Sequence, residues 1–125
     1  MKKAAAFPAV LALLFPVLAA AHHGWAAFDP KVTLTFKAKV TEFHFVNPHS
    51  VVDFEVKDEH GKTQKWEGEL TSNLRLSLKG WTATTLETGN EITISGYPAQ
   101  SGSHVIRVTR ITLANGKDLE LEPGN

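Results

Sequence analysis

Between Val32 and Phe45 the chain alternates apolar and polar residues with a period of two, and partway along the alternation changes phase. Val32, Leu34, Phe36, Ala38 and Val40 hold the even positions, with Thr33, Thr35, Lys37 and Lys39 between them; then Phe43 and Phe45 are odd, while Glu42 and His44 are even. A period of two marks a strand with one buried face. The pattern cannot reverse without an extra residue or a bend, because a slip by one turns every side chain to the opposite face. A long first strand carrying a bulge is what a small sheet needs in order to curl shut. This stretch therefore predicts one wall of a small closed barrel.

The rest of the chain supplies the other walls. Asn47-Pro48-His49 breaks the first strand. Val52, Phe54 and Val56 alternate with Asp53, Glu55 and Lys57 in a second, and Asp58-Glu59-His60-Gly61 is a turn. Gln64 to Leu70 is a third strand, hairpinned to the second, with Trp66 and Leu70 on one face and Lys65, Glu67 and Glu69 on the other. Thr71 or Ser72 is placed to cap a short helix over 73–79 that Gly80 stops. Leu86 to Glu91 leads into a fourth strand, Ile92–Gly96, and His104–Leu113 reads as a fifth. Asn115-Gly116 is a tight-turn signal, so Lys117–Leu121 reads as a short final strand. A helix between the third and fourth of five strands is the connectivity of an OB barrel. The expected fold is all-β with one short helix, a five- to six-stranded OB-like barrel; a small β-sandwich or SH3-like barrel is the competing architecture. At 125 residues there is room for one such domain.

What precedes the barrel reads as an export signal. Lys2 and Lys3 are followed by Ala4–Ala21, an almost wholly apolar run ending in the small-residue Ala-x-Ala pattern. Pro8 and Pro16 and that small-residue exit favour a cleavable signal over a retained membrane anchor. The expected organisation is a signal peptide over 1–21, an extended arm over 22–31 and the barrel over 32–122, in a periplasmic protein with no stable membrane anchor once processed. Pro30 disfavours helix at Asp29, which keeps the arm extended, and Trp25 and Phe28 are expected to dock it on the barrel. The chain has no cysteine, which excludes disulfides, thiolate metal sites and a thiol nucleophile. Loss of Lys2 and Lys3 from thirteen basic residues leaves eleven against thirteen acidic ones, a net charge of −2, a poor match for nucleic acid.

Six histidines are many for such a chain. Cleavage after Ala21 makes His22 the first residue, so its amine and imidazole can chelate one metal together; cleavage one or two residues earlier instead puts a histidine third, in a square-planar donor set. Either geometry suits copper. His49 sits on a proline-stiffened corner that could supply a further ligand. The expected metal residues are thus His22, His23 and His49, with Asp29 or Glu69 supporting them. Against this stand simpler roles: a polar, accessible signal junction for the histidine pair, and backbone hydrogen bonding at the corner for His49. His44, pointing opposite to Phe43 and Phe45, reads as either a surface residue or a ligand, the surface role being favoured, and His60 and His104 read as loop residues. Trp66 and Trp81 read as plugs of the barrel ends, although aromatics near Glu69 could line a pocket. No nucleophile elbow, zinc-protease helix, phosphate loop or dinucleotide fingerprint is present, so an enzyme is not expected.

Taken together, Ala21-His22-His23, Phe28-Asp29, Asn47-Pro48-His49, Trp66 with Glu69, Gly80-Trp81 and Leu86–Gly89 make the chain similar to a bacterial family of short exported proteins classed as a domain of unknown function. The resemblance implies export and one small β-domain, and leaves activity open. The leading expectation is a non-enzymatic periplasmic binding protein with a copper site at the junction of arm and corner. The alternatives are a metal-free protein-interaction or envelope-stress module, meeting an unidentified periplasmic protein or small ligand, and an oligosaccharide-binding OB domain.

Overall fold

The computed structural model describes Ala4 and residues 27–121. The expected signal peptide apart from Ala4, and the arm through His22, His23 and Trp25, lie outside the described residues.

Five strands and one helix follow in the order β1 (Leu34–His44), β2 (Val51–Lys57), β3 (Thr63–Glu69), α1 (Asn73–Ser77), β4 (Glu91–Pro98) and β5 (Val105–Leu113). The strands close into a barrel ordered β1-β2-β3-β5-β4. All neighbours are antiparallel except β3 and β5, which run parallel over three residue pairs. This is the expected all-β, OB-like architecture.

The phase change in β1 is a bulge. Register with β2 passes from Val40↔Phe54 to Glu42↔Asp53, leaving Thr41 as the extra residue. Val40, even, and Phe43, odd, can therefore both pack against the core. β5 carries a second reversal that the sequence shows equally: Ile106, Val108 and Ile111 are all fully buried, and register jumps between Ser95↔Arg110 and Gly96↔Val108. Two bulges on long strands supply the bending that lets five strands close.

Val52, Phe54 and Val56 of β2 meet Ile92 and Ile94 of β4 and Ile106, Val108 and Ile111 of β5 inside the barrel. Ser72 caps α1 by accepting a hydrogen bond from the Arg75 backbone N–H at 3.3 Å. The helix is shorter than expected, ending at Ser77, and Gly80 follows at φ 85°, a left-handed conformation that a Cβ would strain. Leu76 points from α1 into the core, joining Leu70, Trp81 and Leu86. Trp81 and Trp66 both pack at the core: Trp81 lies 5.8 Å from the Phe43 ring, and Trp66 4.8 Å from that of Phe36.

The expected sixth strand is reduced to one bridge, Thr112↔Asp118, followed by a Leu119 N–H donated to the Ile111 carbonyl. The tail then leaves the ladder because other partners take it: the Glu120 carbonyl accepts the Trp81 indole N–H, and its carboxylate meets Lys79. At the other terminus Phe28 is buried and bridges to Ala99, Asp29 N–H donates to the Pro98 carbonyl, and Ala27 accepts from Gln100. The arm's last residues thus dock on the end of β4.

Candidate metal centre

His49 occupies a corner held from several sides. Ser50, fully buried, donates its hydroxyl to the Val46 carbonyl and exchanges backbone hydrogen bonds with Leu70 and Thr71, while Asn73 N–H reaches the Val46 carbonyl. The Asn47–Pro48 peptide is cis. His49 is half exposed, with Nδ1 3.7 Å from Oε1 of Glu69. That same oxygen accepts from Nη1 of Arg107 at 3.2 Å, and Nη1 also donates to the Leu70 carbonyl. Burial pulls the Arg107 pKa down, and the Glu69 charge and hydrogen bond counter it. Of the two supporting carboxylates considered, Glu69 is therefore the one beside His49; Asp29 instead accepts from the Lys31 N–H in a local turn. A cation on His49 would share its nearest carboxylate with a guanidinium. His22 and His23 lie outside the described residues.

A different donor set is assembled at the β1 bulge. Beyond Thr41, Glu42 and His44 face outward, and Glu42 stands directly opposite Asp53 of β2. His44 Nε2 lies 2.9 Å from Oδ2 of Asp53 and 3.6 Å from Oε2 of Glu42. One donor atom from each of the three lies within 4.8 Å of the others. A metal about 2.0–2.2 Å from nitrogen and oxygen ligands at ordinary coordination angles places its donors roughly 3–3.5 Å apart. The two His44 separations, 2.9 and 3.6 Å, are near that spacing, and the whole set lies within 4.8 Å.

Electrostatics sharpen the picture. Asp53 is opposite Glu42 on one side and Glu67 of β3 on the other, so three carboxylates form a row across three strands. Like charges directly opposite one another destabilise a sheet. His44 partly compensates. Its pKa is raised, chiefly by the hydrogen bond to Asp53, with the Glu42, Asp53 and Glu67 charges adding to this and desolvation opposing it.

The sequence marks His44 as a surface residue or a ligand but singles out none of Glu42, Asp53 or Glu67 as donors. The phase change did put Glu42 and His44 on the outer face. Which residue of β2 lies opposite them depends on register, and alternation alone does not give that. His60 and His104 are exposed, as expected of loop residues.

A family model described as a family of unknown function, DUF6152, matches residues 11–107. The chain belongs to this family. The DUF6152 match takes in the Asn-Pro-His corner, the Glu42–His44–Asp53 set and Arg107, and stops within β5. No curated protein and no solved structure matches the chain.

Proposed function

We propose that this chain is a non-enzymatic periplasmic binding protein that holds a transition-metal ion, Cu(II) foremost, at Glu42, His44 and Asp53. The observation that carries this reading is the histidine at the end of a row of opposed carboxylates. In the metal-free protein that row costs stability, and a divalent cation turns repulsion into attraction. Imidazole with carboxylate is a donor set that several first-row ions accept, and Cu(II) binds most tightly among them. The apolar, Ala-x-Ala-terminated leader and the absence of cysteine support an exported protein. His22 and His23 form a second candidate donor set that sequence alone supports, whereas His49 is disfavoured by its shared Glu69.

Copper titration of the mature, untagged protein, followed by electron paramagnetic resonance, tests the assignment. His44→Ala and Asp53→Asn should each weaken binding at least about tenfold, and His49→Ala should leave it near wild type. Wild-type affinity in both of the first two variants would remove the site. Loss of binding only on replacing His22 and His23 would move it to the processed terminus.

The raised His44 pKa gives two opposite pH trends. The protonated ring stabilises the metal-free fold fully below its unfolded value of about 6.5, and this contribution is lost as pH rises through the higher folded value. Because His44 is more than a third exposed, water screens the effect to a few tenths of a kcal/mol. Metal needs the neutral ring, so affinity should climb over the same window above pH 6.5. Calorimetric titrations at a series of pH values, with His44→Ala as the reference, check both trends; a pH-independent affinity would count against His44 as ligand.

A further inference from the structure

Alongside these donors, β2 and β3 present an open groove of about 490 Å³ lined by Asp53, Glu55, Lys65, Trp66, Glu67 and His104. Small-ligand sites typically span about 300–1,000 Å³. One wall is a ring stack: the His104 imidazole lies almost parallel to the Trp66 indole, 4.4 Å away at 8°, and Trp66 in turn rests on Phe36. His104 is steadied by an Nδ1 contact of 3.3 Å with the Lys65 carbonyl. The rim carries three carboxylates, Asp53, Glu55 and Glu67, against the single ammonium of Lys65. The Trp66 indole N–H is buried with no hydrogen-bond partner among the described residues.

The location narrows the ligand. The β2–β3 face beside the β4–β5 loop is where OB barrels take extended oligonucleotides or oligosaccharides. Carboxylates on the rim repel a phosphate backbone, which leaves the sugar polymer. We propose that this groove binds a short oligosaccharide carrying free amino groups. The C–H face of a sugar ring packs on the exposed imidazole that ends the aromatic stack. Hydroxyls meet Lys65 and the carboxylate oxygens, and the ammonium groups meet Glu55 and Glu67.

Asp53 borders both the groove and the metal donors, so the test uses Glu55 and His104, which belong to the groove alone, in metal-free protein. A glucosamine trimer titrated into the mature protein with chelator present, followed by calorimetry and tryptophan fluorescence, should bind saturably. Glu55→Gln and His104→Ala, both at positions outside the core and verified as folded by circular dichroism, should each weaken it at least tenfold, whereas His44→Ala should not. The N-acetylated trimer should bind at least tenfold more weakly. The proposal is overturned if the glucosamine trimer does not bind, if either groove variant binds as wild type, if the N-acetylated trimer binds equally well, or if spermidine matches the trimer and charge alone explains the affinity.

Discussion

Gly96→Ala is expected to unfold the barrel or cost it several kcal/mol. Gly96 lies where the β4–β5 register jumps, and a Cβ there would stand 2.3 Å from the Arg107 carbonyl oxygen and 2.9 Å from its carbon. The obstacle is backbone, so nothing short of moving β5 relieves it, and β5 joins β4 to β3. Gly68→Ala is the natural comparison. Its Cβ would meet the Val108 and Val52 methyls at 2.8 and 2.9 Å, side chains that can shift. Overpacking of that kind costs about 1–3 kcal/mol. Urea unfolding of the two variants should therefore place Gly96→Ala well below Gly68→Ala; near-wild-type stability of Gly96→Ala would mean that the two strands do not approach so closely.

The second large effect is electrostatic. Glu69→Ala removes the carboxylate that faces a buried guanidinium, and breaking a buried ion pair from one side typically costs about 3–5 kcal/mol. Both side chains are only 9% exposed and lie 3.2 Å apart across the parallel β3–β5 seam. That seam is the shortest ladder in the barrel, so the loss falls where closure has fewest backbone bonds. Replacing both partners with apolar residues, Glu69→Leu with Arg107→Met, should recover much of the stability, because the desolvated charge goes as well. The Arg110–Asp118 pair is the control: it is exposed, and Asp118→Asn should leave the denaturation midpoint almost unmoved. If Glu69→Ala behaves like Asp118→Asn, the Glu69–Arg107 pair does not hold the seam.

Much of the fold was legible. The even-to-odd shift between Val40 and Phe43 required a bulge, and Thr41 is its extra residue. Ser72 and Gly80 bracketed the helix, and Asp58–Gly61 marked the β2–β3 turn. The β5 bulge carries the same signal in Ile106, Val108 and Ile111, although the run from His104 to Leu113 otherwise has the composition of one plain strand. The final strand falls short of its expected length because Asn115-Gly116 announces a turn, whereas the partners that draw Glu120 away, Trp81 and Lys79, are distant in sequence.

The candidate sites were less legible. His44 was visible, but Glu42, Asp53 and Glu67 looked like ordinary outward residues on three separate strands. Arg107 likewise sits at a position where outward alternation predicts exposure, yet it is buried against Glu69. By itself the sequence determined which residues form strands, in what order, and which face of each strand is apolar, because burial imposes a period of two on side chains. The tertiary structure alone decided which charged groups became neighbours. Alternation assigns a side chain to a face, whereas its cross-strand partner is set by register, bulge position and barrel closure, all of which depend on residues far away along the chain.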